Sequence, residues 1–436
     1  MNKLKSDFDS ILSYAIESVK PAALFKRNIT RNESLITLND KTFSLNDYKK
    51  IYVIGAGKAA ASMAVEIEKL IHEKITGGIV ITKYGHSLPT VKIKVFEAGH
   101  PVIDENGINA TNKIIDLISN LEEEDLVICL VSGGASALME LLPDSIDLKS
   151  LREINQLLLK SGADIEEINT VRKSLSLIKG GRILEKTFPA TTISLIISDV
   201  IGDSITTIAS GLTQPEIPDY SKALKSLSKY SLQNKVPGSI LKYLTNKREN
   251  EGGIVEYSPE KLYNFIIGNN DDVIWYAENK AVELGYNVIL FHDKLKNEAR
   301  NSAFEFTTSV KQLLGKNEYK LPLCFITGGE TTVTVKGSGK GGRNQEFTLA
   351  CLQAFGSSNN DFILGSIGTD GTDGETDAAG AFITNETFDA IYKIGISPQP
   401  FLENNDSYNF FKRVNGLIKT GPTYTNVMDI VILLIA

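Results

Sequence analysis

The chain has 436 residues, of which 42% are hydrophobic and 23% are charged. This length favours two or three domains, and the composition is that of a soluble globular protein. The formal net charge of -7 argues against a nucleic-acid partner, because binding to a phosphate backbone depends on clustered lysine and arginine. Small anions need only a few local cations, so this balance does not exclude them.

Cysteine usage and the length of apolar runs set further limits. Cys129 and Cys324 lie in apolar, strand-like runs, where we expect buried small side chains. The sequence has no CxxC spacing, so it predicts neither a disulfide framework nor a zinc site, and a reducing, cytoplasmic compartment fits best. No apolar run approaches the roughly 20 residues that span a bilayer, so no membrane partner is predicted.

The predicted elements begin with a helix and continue as alternating strands and helices. The segment "SDFDSILSYAIESV" has apolar residues at helical spacing. After it, the runs "IYVIG", "GGIVIT", "KVFEAG", "LVICLVSGG" and "TISLIISD" are predicted strands. Because these runs are continuously apolar, they predict a parallel sheet that is covered on both faces, in a Rossmann-like α/β domain. The apolar face of the first helix consists of Phe8, Ile11, Leu12, Ala15, Ile16 and Val19.

The second half of the chain repeats this alternation after a polar, helix-forming stretch over residues 219–244. The segment "TNKRENEGG" (residues 245–253) is the best linker candidate. A second series then starts near Lys261, with the strands "NFIIG", "NVILF", "PLCFITGGE" and "FILGSIG", a helix over residues 272–284, and a buried terminal strand in "DIVILLIA". We therefore predict two α/β domains, a larger one over residues 1–258 and a smaller one over residues 259–436.

The first glycine loop lies in "IYVIGAGKAAASMA", between a predicted strand and a predicted helix. Gly55 and Gly57 begin a GxGxxA pattern typical of dinucleotide sites, but the acidic residue expected about 20 positions further on is missing. The loop is not a P-loop either, because Ala59 follows the lysine where serine or threonine would bind magnesium.

Lys58 is unusual in this loop, because a cation in the first turn of a helix opposes the helix dipole at a cost of roughly 0.3–1 kcal/mol. A bound anion would remove that conflict, so Lys58 is a candidate anion contact; a solvated surface lysine is the alternative. The segment "VSGGAS" forms a similar turn after a strand. Its candidate substrate or nucleotide contacts are Ser132, Gly133 and Gly134.

The second glycine loop, "KGSGKGGRNQEF", places glycines and cations directly before an apolar-periodic helix. Dense glycine and positive charge at a helix start predict a cradle for a phosphate or a carboxylate. Arginine holds either group through two parallel hydrogen bonds. A flexible hairpin is the alternative. The candidate residues are Gly339, Lys340, Gly341, Gly342 and Arg343.

Acidic residues after several predicted strands are candidate magnesium ligands. Magnesium needs only one or two carboxylates in addition to substrate phosphates, and the spacing in "GTDGTDGETDAAGA" is not that of an EF-hand. For each carboxylate, a turn or helix-capping role is the alternative. The candidates are Asp199 in "SDVIGD", Glu330 in "TGGE", and Asp370 and Asp373 in the acidic loop.

A basic segment, "INTVRKSLSLIKGGRI", has its apolar residues on one helical face and its cations mostly off that face. Two interpretations stay open: the cations form a solvated surface, or Arg172 or Lys173 points into a cleft. Two loop histidines, His86 in "KYGH" and His100 in "AGHPVID", are candidates for lining a polar site.

These motifs, taken in order, resemble the glycerate 2-kinase family. The resemblance rests on "VIGAGKAAASMA", "TKYGH", "AGHPVID", "LVSGGASALM", "INTVRKSLSLIKGGR", "ISDVIGD", "IASG", "TGGETTVTVKGSGKGGRNQEF" and "GTDGTDGETDAAGA", and it covers the chain from about Phe8 to Ile435. It implies a large N-terminal domain and a C-terminal MOFRL-type domain, with the active site in the cleft between them.

The resemblance also implies an activity: ATP-dependent phosphorylation of D-glycerate at its 2-hydroxyl, giving 2-phosphoglycerate and ADP, with Mg²⁺ or another divalent cation. The family's functional lysine and arginine fall on Lys58 and Arg343. The sequence departs from the family at Ser174, where histidine is frequent, at Leu212, where proline is usual, and at Tyr424, where glycine is usual. No general base is therefore assigned.

Two other functions stay open at this point. The GxGxxA pattern favours an NAD(P)H-dependent hydroxypyruvate reductase, whereas the missing acidic residue and the basic loops disfavour it. A non-catalytic sensor of phosphorylated metabolites would use the same anion sites, but it would not need the acidic loop. The sequence leaves a homodimer open.

Overall fold

The computed structural model describes residues 2–249, 257–316, 319–356 and 360–436. These residues form two compact units: a first unit, Leu24–Ile267, and a second unit, Met1–Ala23 together with Gly268–Ala436. Within the described ranges, none of the helices has the length and the apolar character that a transmembrane span requires. The three cysteines are buried and form no disulfide.

The described elements alternate along most of the chain. In chain order the helices are α1 (Asn2–Ser18), α2 (Pro21–Asn28), α3 (Ala60–Ile71), α4 (Glu105–Leu117), α5 (Ala135–Leu138), α6 (Leu148–Lys160), α7 (Ile165–Leu175), α8 (Ile183–Thr187), α9 (Tyr220–Lys229), α10 (Gly238–Glu249), α11 (Asn270–Glu283), α12 (Ala299–Gly315), α13 (Arg343–Phe355), α14 (Asn385–Ile394), α15 (Pro398–Glu403) and α16 (Ser407–Arg413). The strands are β1 (Ile29–Asn32), β2 (Leu35–Leu38), β3 (Lys41–Ser44), β4 (Lys50–Ala56), β5 (Ile75–Lys83), β6 (Ile93–Ala98), β7 (Asp125–Val131), β8 (Thr191–Ile197), β9 (Leu262–Gly268), β10 (Asn287–Leu290), β11 (Leu323–Gly329), β12 (Phe362–Gly368), β13 (Gly380–Thr384), β14 (Leu417–Ile418) and β15 (Asp429–Ile435).

The first unit contains the predicted parallel sheet. Its strand order is β6-β5-β4-β7-β8-β9, and β4 pairs in parallel with both β5 and β7. Every residue of β7 and β8 is buried, as expected for strands that are covered on both faces. A small antiparallel sheet of β1, β2 and β3 precedes it. The prediction of a Rossmann-like α/β domain is confirmed.

The second unit is also α/β, but its sheet is mixed. The strand order is β10-β11-β15-β12-β13-β14; β10 and β11 pair in parallel, whereas β15 runs antiparallel to both of its neighbours. All seven residues of β15 are buried, as predicted for the terminal strand. The apolar run of β15 indicates that the strand is buried on both faces, but it does not indicate whether the strand is parallel or antiparallel to its neighbours. The mixed sheet could therefore not be predicted from the sequence.

Helix α1 forms where the periodicity predicts it, and the apolar residues of its predicted face are all buried. This helix belongs to the second unit. The Tyr286 hydroxyl donates to Asp7 Oδ2 at 2.8 Å, and the Phe8 ring fits where Gly365 has no side chain, since a Cβ there would lie 2.4 Å from Phe8 Cζ.

The division of the chain differs from the sequence-based domains 1–258 and 259–436. Residues 1–23 lie in the second unit, and the boundary falls between Ile267 and Gly268, because "NFIIG" forms the edge strand β9 of the first sheet. The sequence did not predict this division, because the local pattern of a helix or a strand does not indicate which of two sheets it packs against or joins. Of the predicted linker, residues 245–249 end α10 and residues 250–253 lie outside the described residues.

Candidate active site

Several predicted site residues of the first unit meet at one edge of its sheet. Strands β4, β7 and β8 are parallel neighbours, so the loops at their carboxyl ends lie side by side. Lys58 follows β4, Ser132 follows β7, and Asp199 follows β8. Ligands of open α/β sheets bind at this edge, so the topology brings three separate motifs to one place.

The loop after β4 is fixed to the loop after β7 by its own backbone. The Lys58 N–H donates to the Gly133 carbonyl at 2.9 Å, and the Ala59 N–H donates to Ser132 Oγ at 3.0 Å. The Gly57 N–H also has a protein acceptor, the carbonyl of Ile81 at 3.0 Å. These three amides are therefore engaged within the protein, and the loop presents the Lys58 side chain rather than its N–H groups.

Gly57 shows why this loop needs glycine. Its φ is 139°, and a Cβ atom there would lie 2.1 Å from Ser132 Oγ. A Cβ at Gly55 would lie 2.0 Å from the Leu130 carbonyl oxygen. Both glycines are thus required by the close approach of β4 and β7, which explains the GxGxxA pattern without a ligand. Their nucleotide-binding role stays a prediction.

A cavity of about 310 Å³ lies beside this edge, within the first unit. Gly134, in the turn after β7, forms part of its wall with a φ of 84°. A Cβ there would lie 2.8 Å from His100 Nε2 and 3.5 Å from Lys58 Cγ, so this glycine lets the His100 ring and the Lys58 stem approach the same point. We name the cavity the arginine cavity after two of its polar lining residues, which are His100, Ser136, Arg152, Asn155, Gln156, Arg172 and Lys179.

The basic segment does not form a uniform solvated face. Arg172 lines the arginine cavity, whereas Lys173 is ion-paired with Glu216. Lys179 forms a buried ion pair with Glu140; the two side chains are 3% and 1% exposed. Arg172 therefore matches the interpretation in which a cation points into a cleft.

The second glycine loop is held by the segment between α15 and α16. The Gly339 N–H donates to the Asn404 carbonyl at 2.9 Å, and the Lys340 N–H donates to Asp406 Oδ1 at 2.9 Å. Among the hydrogen bonds of the described residues, none uses the N–H of Gly341 or Gly342. The predicted anion cradle is therefore reduced to these two amides at the start of α13, and its function stays a prediction.

Arg343, the first residue of α13, is held by two carboxylates of its own unit. Its Nε and one terminal nitrogen donate to Asp429 Oδ2 and Oδ1 at 2.6 and 2.9 Å, and the other terminal nitrogen pairs with Glu330. Burial alone would lower the pKa of Arg343, but the charges of Asp429 and Glu330 raise it well above its usual value. Arg343 is therefore a permanently charged residue whose charge is already compensated.

Of the predicted metal ligands, Asp373 caps a helix and Asp370 holds a turn. Asp373 is 2% exposed and accepts the backbone N–H groups of Asn344 and Gln345 at 3.0 and 2.8 Å, at the start of α13. Asp370 accepts the N–H and the hydroxyl of Thr372 at 2.9 and 3.1 Å, as in a turn. These contacts fit the capping alternative.

The described residues contain no group of three or more histidine, cysteine or acidic side chains arranged for a metal ion. A cage made by the protein alone therefore does not fit them. A magnesium ion that arrives with substrate phosphates needs only one or two carboxylates. That role for Asp199, Glu330, Asp370 or Asp373 stays a prediction.

Asp429 and the segment of Asn404 and Asp406 were not among the residues predicted from sequence motifs. A signal for Asp429 exists, since it is the single charge at the start of the apolar run "DIVILLIA" and is 4% exposed. A buried charge requires a partner of opposite sign, and that partner is Arg343. The 404–406 segment has no comparable signal, because its side chains contact a loop far away in the sequence.

We expect Asp373→Asn to have a pH-dependent effect on stability. Burial raises the pKa of Asp373 from 3.8 to about 6, so folding disfavours its ionised form. Its contribution to the free energy of unfolding is then greatest below pH 3.8 and falls as the pH rises through about 6. The free energy of unfolding of the wild type minus that of Asp373→Asn should therefore fall over that range, as measured by urea unfolding followed by the fluorescence of Trp275. An increase of this signed difference with pH contradicts the prediction.

We expect Arg343→Met to destabilise the second unit by about 3 kcal/mol, because it leaves Asp429 buried and charged without its partner. The value lies at the lower end for broken buried pairs, since the Arg343 side chain is 31% exposed. The double variant Arg343→Met/Asp429→Asn should recover most of the loss in the same unfolding measurement. Lys419→Met, which breaks the surface pair with Asp377, is the matched control and should cost less than about 1 kcal/mol. Equal losses in both single variants would show that the Arg343 pair is not structural.

The sequence and the fold both match known proteins. Residues 7–245 match the family described as "Domain of unknown function (DUF4147)", and residues 323–429 match the MOFRL family. The crystal structure of a glycerate kinase from Thermotoga maritima superposes with a TM-score of 0.85 at 38% identity and covers 100% of both chains. A crystal structure of a Pyrococcus horikoshii protein gives a TM-score of 0.80 at 35% identity, with 99% of this chain and 98% of that chain covered.

Curated relatives extend the match. The chain is 40% identical to a D-glycerate 2-kinase from Thermotoga maritima, over 98% of this chain and 99% of that protein. It is 36% identical to a glycerate 2-kinase from Pyrococcus horikoshii, over 98% and 96%. A protein from Agrobacterium vitis named putative hydroxypyruvate reductase is 37% identical over 88% of this chain and 86% of its own length. These matches establish that the chain belongs to the glycerate 2-kinase family, with an N-terminal DUF4147 domain and a C-terminal MOFRL domain.

Proposed function

We propose that this protein transfers the γ-phosphoryl group of ATP to the 2-hydroxyl of D-glycerate, giving 2-phosphoglycerate and ADP. Membership of the glycerate 2-kinase family supports the reaction class. The observation that carries the proposal is the position of Lys58: its backbone is fixed to the loop after β7, and its stem lies beside Gly134 in the wall of the arginine cavity. A cation so placed suits a reaction between two anionic substrates.

Phosphoryl transfer depends on positioning and on charge neutralisation more than on covalent chemistry by the protein. Lys58 would neutralise charge on the transferred group or on the glycerate carboxylate. Its loop amides contribute little to ATP binding in this proposal, because those of Gly57, Lys58 and Ala59 already have protein acceptors. A divalent cation, when bound, would neutralise the ATP phosphates.

Arg343 has a more limited role in the proposed reaction than Lys58, because two carboxylates already pair with its charge. Together with Asp429 and Glu330 it forms a cluster with one positive and two negative charges. Such a cluster is not a simple anion site; it suits contact with a metal-bound phosphate, where Glu330, 40% exposed, can face the cation. An activity test of Arg343 should use Arg343→Met/Asp429→Asn, so that loss of folding is separated from loss of function.

The main competing function is reduction of hydroxypyruvate with a nicotinamide cofactor. The GxGxxA loop was its main support, and close packing of β4 on β7 now explains Gly55 and Gly57. Strand β5 ends at Lys83, where a ribose-binding acidic residue would be expected. These two observations favour the kinase.

The proposed reaction predicts a specific product. When the protein is incubated with ATP, magnesium and D-glycerate, phosphorus NMR should show 2-phosphoglycerate and ADP. The control contains hydroxypyruvate and NADH and is followed by absorbance. Exclusive formation of 3-phosphoglycerate would overturn the regiochemistry, and NADH consumption without phosphorylation would favour the reductase.

Lys58→Ala should lower kcat/KM about a hundredfold or more, the scale of a lost contact to developing charge. The matched control is Lys69→Ala, at the other end of α3, whose side chain is 65% exposed. Lys69→Ala should retain wild-type kinetics, and both variants should keep the wild-type circular dichroism spectrum. If Lys58→Ala is as active as Lys69→Ala, Lys58 is a solvated surface lysine with no role in the reaction.

A further inference from the structure

Two neighbouring helices bring arginines into the arginine cavity. On α6, residues 151, 152, 155, 156 and 159 recur at the spacing that places side chains on one face, and all five line the cavity. Arg172 reaches it from α7. Helices α6 and α7 therefore form one side of the cavity and present its two arginines, while residues 100–103, the turn after β7 and Lys179 complete the lining.

Both guanidinium groups are oriented by the protein through one nitrogen. Arg152 Nε donates to the Ile103 carbonyl at 2.7 Å, and Arg172 Nε donates to Asn155 Oδ1 at 2.9 Å. Within the described part of the chain, neither arginine forms an ion pair, and their terminal nitrogens make no hydrogen bond. Each side chain is thus pre-oriented, while the two nitrogens that form a fork with a carboxylate or a phosphate stay available.

The described residues that line the cavity beside these arginines include no carboxylate. Lys179 also lines it, but the buried Glu140 neutralises that lysine. Burial lowers the pKa of Arg172, and the charge of Glu140 only partly opposes this effect. Asp104 acts on Arg152 and Glu140 acts on Arg172 from a distance, without an ion pair among the described residues. A bound anion would bring a direct counter-charge to these two partly buried cations.

One wall of the cavity is apolar, with Val102, Ile103, Leu151 and Leu159. An inorganic ion would leave this wall in contact with water, whereas an organic molecule would cover it. The volume of about 310 Å³ lies at the lower end of the roughly 300–1,000 Å³ typical of small-molecule sites.

We propose that the arginine cavity binds a small organic anion. Its carboxylate or phosphate oxygens accept hydrogen bonds from Arg152 and Arg172, and its uncharged part lies against the apolar wall. Two molecules of the proposed reaction share this chemistry, the hydroxy acid and the nucleotide. The choice of these two ligands rests on the proposed function, but their binding can be measured without phosphoryl transfer.

Isothermal titration calorimetry of the full chain with D-glycerate, ATP and inorganic phosphate, each added separately, tests the charged end of the site. At least one of the two organic anions should bind, and Arg152→Met and Arg172→Met should each weaken that binding by about tenfold or more. Arg248→Met, on α10 and 47% exposed, is the control and should bind as the wild type does. The ligand whose affinity falls identifies the occupant. If Arg172→Met does not fold, Arg172→Lys, which keeps the charge without the fork, should show the same loss.

The apolar wall is tested by Val102→Ser, because Val102 is 57% exposed and its replacement should not unfold the chain. It should weaken binding of the organic anion and leave inorganic phosphate unaffected, whereas Val91→Ser, at a position 82% exposed outside the cavity, should change neither. The proposal is overturned if neither D-glycerate nor ATP binds, if binding survives in both arginine variants, or if inorganic phosphate binds as tightly as the organic anion. Absence of binding by both D-glycerate and ATP would also contradict the proposed function, whereas binding that survives in the arginine variants would overturn this inference alone.

Discussion

The candidate site of the first unit depends on how closely β4 and β7 approach at their carboxyl ends. Gly57 lies against Ser132 with no room for a Cβ, and the Ser132 hydroxyl accepts the N–H of Ala59. This contact fixes where α3 begins and therefore the point of the backbone from which the Lys58 side chain extends. The turn that follows Ser132 contributes Gly134 to the arginine cavity. The contact between the loops after β4 and β7 thus positions both Lys58 and the part of the cavity wall that Gly134 forms.

The two cations that the sequence singled out have different surroundings. Lys58 belongs to a loop whose amides are satisfied by the protein, so its side chain is what the loop presents. Arg343 is held by Asp429 and Glu330 and already has its counter-charge. Local sequence could not distinguish the two cases, because both residues follow glycines near the start of a predicted helix. In the structure Arg343 begins α13, whereas Lys58 lies in the turn before α3 and not, as the sequence had suggested, in its first turn. What separates them is a carboxylate at the start of the last strand, 86 residues after Arg343.

Sequence periodicity predicted the elements well because each element buries its own apolar residues. The strands β4, β5, β7 and β8 and the helix α1 all follow from local patterns. Three features did not, and each depends on a partner far away in the sequence: the association of α1 with the second unit, the antiparallel direction of β15, and the pairing of the second glycine loop with Asn404. At Gly55 and Gly57 the structure shows a close approach of β4 to β7 that needs glycine, and the nucleotide-binding role of these glycines stays a prediction.

The departure from the family at Ser174 is consistent with a mechanism that relies on charge rather than on a base at this position. Ser174 is 1% exposed, and its hydroxyl donates to the Thr170 carbonyl at 2.8 Å within α7. A buried hydroxyl in that hydrogen bond is not available to remove a proton from a substrate. In phosphoryl transfer with a loose transition state, positioning and charge neutralisation matter more than proton removal. Lys58, beside Gly134, and the oriented Arg172 lie near one edge of the first unit, and the proposed chemistry requires positive charge of this kind.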